Sequence, residues 1–325
     1  MKLTHILEAR QFKDAILREI FSLADEMKLF DKTNLTEKER KRCHKLKLSS
    51  QPRKKIMACL FYEPSTRTRF SFESAMKTLG GEVISTESAG MFSSAAKGES
   101  LADTVRVVSG YADVIVLRHN KEGSAKEAAR YSRVPIINAG DGPGEHPTQA
   151  LLDLYTINDE LKRIDDLKIA FVGDLKYGRT VHSLVYLLAN RKNVEFYFIA
   201  PQPVKLPEEI KNYLLEKNIK FTEIENEEGL EIVLRNCDVL YVTRIQKERF
   251  ENEKEYEKCH GVYIIDSYHV CLMKKNSIIM HPLPRVDEIS IAVDDDPRAV
   301  YFRQAANGKY IRMALLKMIL DPENI

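Results

Sequence analysis

The chain has 325 residues, 44% hydrophobic and 30% charged, which suits a soluble protein of two ordinary domains, each able to bury its own core. With 50 basic against 48 acidic residues the net charge is +2, so no bulk field draws the protein to nucleic acid or to a membrane, although a small anionic ligand needs only local positive charge. Five scattered cysteines (Cys43, Cys59, Cys237, Cys259, Cys271) form no Cys-x-x-Cys pair, which argues against a zinc ribbon and a disulfide framework and predicts a reducing, cytoplasmic location.

From the N-terminus, Ile6 to Met27 reads as one amphipathic helix, with Ile6, Phe12, Ile16, Ile20, Leu23 and Met27 as its stripe. The early charges Glu8 and Arg10 leave no signal-peptide core, and no apolar run reaches transmembrane length. The basic run from Lys38 to Lys47 is interrupted by Glu39 and lacks interleaved aromatics, so it reads as a solvated helix face. Strand and helix then alternate. The first predicted strands are Ile56–Phe61, Glu82–Thr86, Val114–Leu117 and Val134–Asn138. A second set comprises Lys168–Val172, Val194–Ile199, Lys220–Ile224, Val239–Thr243, Tyr263–Asp266 and Ile278–His281. Helical stretches between them, such as Leu101–Ser109, Ser124–Tyr131 and Thr180–Leu188, predict βα units, largely parallel sheets and an α/β fold. A helix from Thr148 to Leu161 bridges the two sets, and a long one from Arg298 to Leu320 closes the chain.

The stretch from Tyr62 to Arg69 is the most informative. It follows the apolar strand Ile56–Phe61 and precedes a helix in which Phe72, Ala75, Met76 and Leu79 recur until Gly80-Gly81 stops it. Three hydroxyls (Ser65, Thr66, Thr68) and two arginines (Arg67, Arg69) therefore stand where a strand ends and a helix begins. Free backbone N–H groups and the positive end of the helix dipole meet them there, which makes a socket for phosphate rather than a simple helix cap. Arg118 closes the strand Val-Ile-Val-Leu, and taken alone reads as a solvent-exposed end charge. His146 follows a Gly-rich turn and opens His-Pro-Thr-Gln at a helix start, a pattern that brings polar groups close to a ligand. Arg179 lies in a turn after Lys168–Val172 whose glycines miss the G-x-G-x-x-G spacing, so no dinucleotide site is indicated. Arg244 and Gln246 follow Val239–Thr243, and His281-Pro282-Leu283-Pro284 is a stiff segment suited to recognition through its backbone. Nearly all of these residues lie at or beyond strand C-terminal ends, the edge at which open α/β sheets bind ligands.

Four blocks carry a resemblance to the aspartate/ornithine carbamoyltransferase family. They are Ser65-Thr66-Arg67-Thr68-Arg69, His146-Pro147-Thr148-Gln149, Gly173 to Ser183, and His281 to Glu288, in the family's order and spanning nearly the whole chain. The resemblance implies two α/β domains, each a largely parallel sheet flanked by helices, with the active site in the cleft between them. Residues 1–150 and 301–325 would bind carbamoyl phosphate, and residues 151–300 would bind aspartate. The implied reaction transfers the carbamoyl group of carbamoyl phosphate to the amine of L-aspartate, in de novo pyrimidine biosynthesis. By the same resemblance Ser65, Thr66, Arg67 and Thr68 hold the phosphate, while Thr68, Arg118 and His146 meet the carbonyl oxygen. Gln149 and the backbone of Leu283 meet the carbamoyl amide, with Pro284 completing that backbone clamp. Arg179, Arg244 and Gln246 hold aspartate. Ser93 and Lys97, in a Ser/Ala/Gly-rich loop, are implied to enter a neighbouring subunit's site, and hence a homotrimer with shared sites. No metal or organic cofactor is implied, since the leaving phosphate can take the amine proton. The rivals are a transcarbamylase for another amine acceptor and a non-catalytic phosphate-binding paralogue. Pro282 stands where the ornithine branch has Cys, and Lys97, Arg118 and His146 are all present, which counts against both. A separate regulatory chain is left open, and the chain carries no zinc-binding regulatory module of its own.

Overall fold

The computed structural model describes residues 3–49, 52–87, 98–250 and 252–325. It divides into two compact units, Met1–Leu151 with Ala306–Ile325, and Leu152–Ala305. No helix among the described residues is long and apolar enough to cross a membrane.

The first unit holds a parallel sheet of β1 (Ile56–Phe61), β2 (Glu82–Glu87), β3 (Val114–His119) and β4 (Ile136–Asp141), in the order β2-β1-β3-β4. Successive strand residues face opposite sides, and both sides are covered. Ala58, Leu60, Ile115 and Leu117 pack with Val105 and Ala128, while Met57, Cys59 and Phe61 are equally sealed on the other face. Near its end β4 departs from the predicted strand. Leu117 pairs with Asn138 but His119 with Asp141, so β4 carries one extra residue, a bulge that prolongs the strand through Gly140.

The predicted helix over Ile6–Met27 is not continuous. Ile6 lies extended beside β4, donating its N–H to Ile136 O at 2.8 Å and accepting from Asn138 N–H at 2.7 Å. A 3-10 turn follows at Ala9–Gln11, and the α-helix runs only over Asp14–Met27. The basic run forms the helix Glu37–Leu46, opened by a Thr36/Glu39 capping box, with Arg42 paired to Glu26 and Lys41 to Glu37. In the closing helix, Tyr301–Leu320, Lys317 is fully buried and donates to Lys45 O, Lys47 O and Asp321 Oδ2. A charge sealed from water is tolerated there because every donor finds an acceptor.

The second unit is a five-stranded parallel sheet. Its strands are β5 (Lys168–Val172), β6 (Glu195–Ile199), β7 (Phe221–Ile224), β8 (Val239–Val242) and β9 (Ile278–Met280), in the order β7-β6-β5-β8-β9. On one face Ala170, Val172, Leu240 and Val242 pack with Leu230, Leu234 and Ile265. On the other, Phe171, Phe196, Phe198 and Tyr241 form an aromatic cluster with ring centroids 5.4 to 6.1 Å apart. Tyr263–Asp266, predicted as a strand, is not in this sheet. Ile265 makes a single parallel bridge to Ile289, exchanging bonds with Glu288 O and Ser290 N–H.

Candidate active site

In each sheet the first strand is central, and the chain moves to one side of it before crossing to the other. The order therefore reverses between β1 and β3 in the first unit and between β5 and β8 in the second. Crevices outside strand C-termini form at such reversals, because the loops leaving the two strands turn to opposite faces. Ser65–Thr68 follow β1 at the start of its helix, and Arg118 stands near the C-terminal end of β3; Arg179 opens the helix after β5, and Arg244 and Gln246 follow β8.

In the first unit Ser65 precedes the helix Thr66–Thr78 with extended backbone, and its hydroxyl makes no capping bond. The first intrahelical bond runs from Arg69 N–H to Ser65 O, so the N–H groups of Thr66, Arg67 and Thr68 have no intrahelical acceptor. The two arginines of the motif part company here. Arg69 pairs with Glu73 at 3.2 Å and with Glu87 on β2 at 3.0 Å, whereas Arg67 has no such pair among the described residues. Of the two arginines in the motif, Arg69 is thus engaged by carboxylates, and Arg67 is the one that the resemblance assigns to the phosphate. Thr68 is buried, one turn into the helix.

Arg118, expected from sequence alone at an exposed strand end, is only 8% exposed. Its backbone is fixed by Tyr62 N–H donating to Arg118 O, and its guanidinium donates to Glu63 at 2.9 Å and to Ala139 O at 3.1 Å. Ala139 lies in the β4 bulge, between the paired positions Asn138 and Asp141. His146 is 4% exposed, and its carbonyl accepts from Gln149 and Ala150 at the start of the helix Pro147–Leu161. The loop before it is organised by Asp141, which accepts from Gly123 N–H, Glu145 N–H and the Asn138 amide. Arg312 joins the two ligand-bearing helices, donating to Ser71 and Thr148 and lying over the Phe72 ring at 4.8 Å. Sequence reasoning passed over Glu63, Asp141 and Arg312. The first two had a signal, an acid immediately before Pro-Ser-Thr and an Asp within a Gly-rich turn; Arg312 had none. Ser93 and Lys97 lie outside the described residues.

In the second unit Gly173 follows β5 with φ +112, where a Cβ would stand 2.1 Å from Thr243 O. Both the left-handed backbone and the close approach require glycine. Gly173→Ala is expected to destabilise this unit by about 3 kcal/mol or more, seen as a lowered thermal unfolding transition; an unchanged transition would show that the β8 loop gives way.

Asp174, fully buried, accepts from Tyr177 N–H at 2.9 Å and from the Gln246 amide at 3.3 Å. Burial pushes its carboxyl up from the usual carboxylate value, against the pull of those hydrogen bonds. It ties the loop after β5 to the loop after β8. Arg179 opens the helix Arg179–Leu188, its charge added to a helix N-terminus, and Arg244 borders a small cavity of about 50 Å³ with Gly173 and Thr243. Beyond β9, Leu283 has φ +52, a left-handed conformation that disfavours a side chain by about 1–2 kcal/mol. Pro284 beside it is exposed. Arg285, in the same block, is occupied by Asp294 and Tyr301.

Residues 4–159 match the family model "Aspartate/ornithine carbamoyltransferase, carbamoyl-P binding domain", and residues 165–319 match the "Asp/Orn binding domain". The chain is 52% identical over 320 residues to the chloroplastic aspartate carbamoyltransferase of Arabidopsis thaliana, covering 98% of this chain and 78% of that protein. The catalytic subunit of Methanocaldococcus jannaschii aspartate transcarbamoylase superposes with a TM-score of 0.84 at 52% identity, covering 98% of this chain and 99% of that one. The Trypanosoma cruzi aspartate transcarbamoylase, in complex with carbamoyl phosphate and aspartate, gives a TM-score of 0.88 at 39% identity, covering 98% and 97%. These relatives overturn the cytoplasmic expectation, since those from Arabidopsis, rice and pea are named chloroplastic at 51% identity or more. Unpaired cysteines argue against an oxidising compartment and do not choose among reducing ones.

Proposed function

The chain belongs to the aspartate/ornithine carbamoyltransferase family, and we propose that its two crevices perform that family's chemistry with aspartate as acceptor. It transfers the carbamoyl group of carbamoyl phosphate to the amine of L-aspartate, giving N-carbamoyl-L-aspartate and phosphate, a step of de novo pyrimidine synthesis. The observation that supports the reading is that Ser65–Thr68 and Arg118, and in the second unit Arg179, Arg244 and Gln246, lie at the C-terminal ends of the strands between which the order reverses.

The first unit takes carbamoyl phosphate. Ser65, Thr66, Arg67 and Thr68 offer hydroxyls, backbone N–H groups and a guanidinium to its phosphate. Thr68, Arg118 and His146 donate to the carbonyl oxygen, where negative charge grows as the amine attacks, and donors held in place before reaction stabilise that charge most. Glu63 and Ala139 O hold the Arg118 plane, so no reorganisation is needed when the charge appears. Gln149 and the Leu283 carbonyl orient the carbamoyl amide, with Pro284 stiffening the clamp. The second unit takes aspartate through Arg179, Arg244 and Gln246. The neutral amine forms the C–N bond, the tetrahedral intermediate collapses with loss of phosphate, and the departing phosphate accepts the amine proton. The direct test is an assay of purified protein: carbamoyl aspartate and phosphate should appear in equal amounts, and neither should appear if one substrate is omitted.

The protein works as a homotrimer in which Ser93 and Lys97 complete a neighbour's site. Arg67→Ala and Lys97→Ala chains should each be nearly inactive. In an equal mixture assembled at random, a site is intact when its own chain keeps Arg67 and its neighbour keeps Lys97. Each holds half the time, so about a quarter of wild-type activity should return. Hybrid trimers as inactive as their parents would place Lys97 in its own chain's site.

A further inference from the structure

His281 and Glu288 are almost sealed from solvent, their side chains 1% and 8% exposed, with Nε2 and Oε1 2.6 Å apart. Neither belongs to the proposed ligand sets. The other ring nitrogen fixes the tautomer. The Leu283 backbone N–H can only donate, and it meets Nδ1 at 2.8 Å. Nδ1 therefore accepts, the ring proton lies on Nε2, and Glu288 receives it. The second oxygen of Glu288 accepts from Val286 N–H and Asp287 N–H at 3.1 and 3.2 Å, so the carboxylate also shapes the chain just after the clamp. On the other side the His281 N–H donates to Gln304 Oε1 at 2.9 Å, and the Gln304 amide donates to buried Asp153 at 2.6 Å. The imidazole is thus held from its backbone and from its far nitrogen, leaving one nitrogen aimed at Leu283.

Pro282 and Pro284 have no N–H, so the Leu283 N–H is the single backbone donor of the segment Pro282–Pro284, and His281 takes it. Leu283 is also the one residue of that block with a left-handed backbone. The N–H bond fixes the peptide plane before Leu283, and a φ of +52 admits a side-chain-bearing residue only to the small left-handed region, which narrows ψ and with it the direction of the Leu283 carbonyl.

We infer that His281 and Glu288 are positioning residues for carbamoyl transfer, a buried pair that holds Leu283 in its left-handed backbone conformation so that its carbonyl is presented to the substrate. The inference rests on the proposed reading, in which the Leu283 backbone meets the carbamoyl amide. Neither residue touches a reacting atom.

Two substitutions separate positioning from a merely structural role. His281→Asn places an amide oxygen near the position of Nδ1, keeping an acceptor for Leu283 while losing Glu288. His281→Gln keeps a donor toward Glu288 and loses the acceptor. A structural role would penalise both alike, since each forfeits one buried bond. Positioning predicts that His281→Gln lowers kcat on the order of 10²-fold, as expected for a displaced contact, whereas His281→Asn lowers it about fivefold or less. Amide hydrogen exchange at Leu283 gives a readout independent of turnover. It should be slow in wild type and His281→Asn and fast in His281→Gln. Slow exchange in His281→Gln, or equal kcat losses in the two variants, would overturn the inference while wild-type turnover left the carbamoyl-transfer reading standing. A wild-type protein inert toward both substrates would sink that underlying reading and this one with it. Should either histidine variant fail to fold, Glu288→Gln decides: its amide cannot serve both the imidazole and the Val286 and Asp287 N–H groups, so kcat should fall about tenfold, and a wild-type kcat would overturn the pair's role.

Discussion

Supplied with carbamoyl phosphate, the purified protein is expected to carbamoylate L-aspartate and to reject L-ornithine by a factor on the order of 10⁴ in kcat/KM. The reason is electrostatic. Arg179 stands at a helix N-terminus, and Arg244 and Gln246 follow β8, with Gln246 tethered to the buried Asp174. Guanidinium groups in such a crevice match carboxylates two bonds at a time, and aspartate brings two carboxylates. Ornithine would bring a second ammonium in place of one of them. That leaves an arginine desolvated without its anion and sets like charges against each other, and both penalties exceed anything an apolar contact could return. Competing assays with the two amines at equal concentration measure the ratio directly. A preference for ornithine would remove Arg179 and Arg244 from the acceptor site.

The second large effect divides binding from turnover. His146→Ala is expected to lower kcat by roughly 10²–10³-fold while carbamoyl phosphate still binds, because in the proposed reaction the imidazole serves an oxygen whose charge appears only in the transition state. Arg67→Ala should chiefly weaken carbamoyl phosphate binding, since a guanidinium on the ground-state phosphate acts before any bond is made. Binding measured by calorimetry and kcat measured at saturation would separate the two. Parallel losses in both variants would contradict the division of labour. The structure adds that Asp141, which accepts from Gly123, Asn138 and Glu145, holds the turn from which His146 emerges, so the imidazole's place is set by a carboxylate five residues away.

Composition misled on one point. Scattered cysteines point to the cytoplasm, yet relatives with half the sequence in common are plastid enzymes by name. Redox state is a chemical property that composition records; an address is not.

What the sequence determined by itself was local. Alternation of apolar strands with periodic helices yielded two parallel sheets, because hydrophobic period and turn residues act over a few positions. The proposed phosphate socket is legible for the same reason: strand end, hydroxyls, arginine and helix start are consecutive from Phe61 to Arg69. So were Arg179 and Arg244, each read from the strand that it follows. What the tertiary structure decided was every choice made between residues distant in the chain. Only the arrival of Glu87 on β2 shows the second carboxylate that, with Glu73 one turn along the helix, engages Arg69. Only the register of β3 against β4 shows a bulge whose Ala139 carbonyl, with Glu63, turns Arg118 from an exposed strand end into a fixed donor. The pairing of Ile6 with β4 unwinds a helix that its own periodicity favoured, and the bridge from Ile265 to Ile289 keeps a strand-like segment out of the sheet. Local propensity amounts to tenths of a kcal/mol per residue, whereas a buried backbone donor without a partner costs about 1–3 kcal/mol. Where the two disagree, the long-range hydrogen bond prevails, and no window of sequence contains both of its ends.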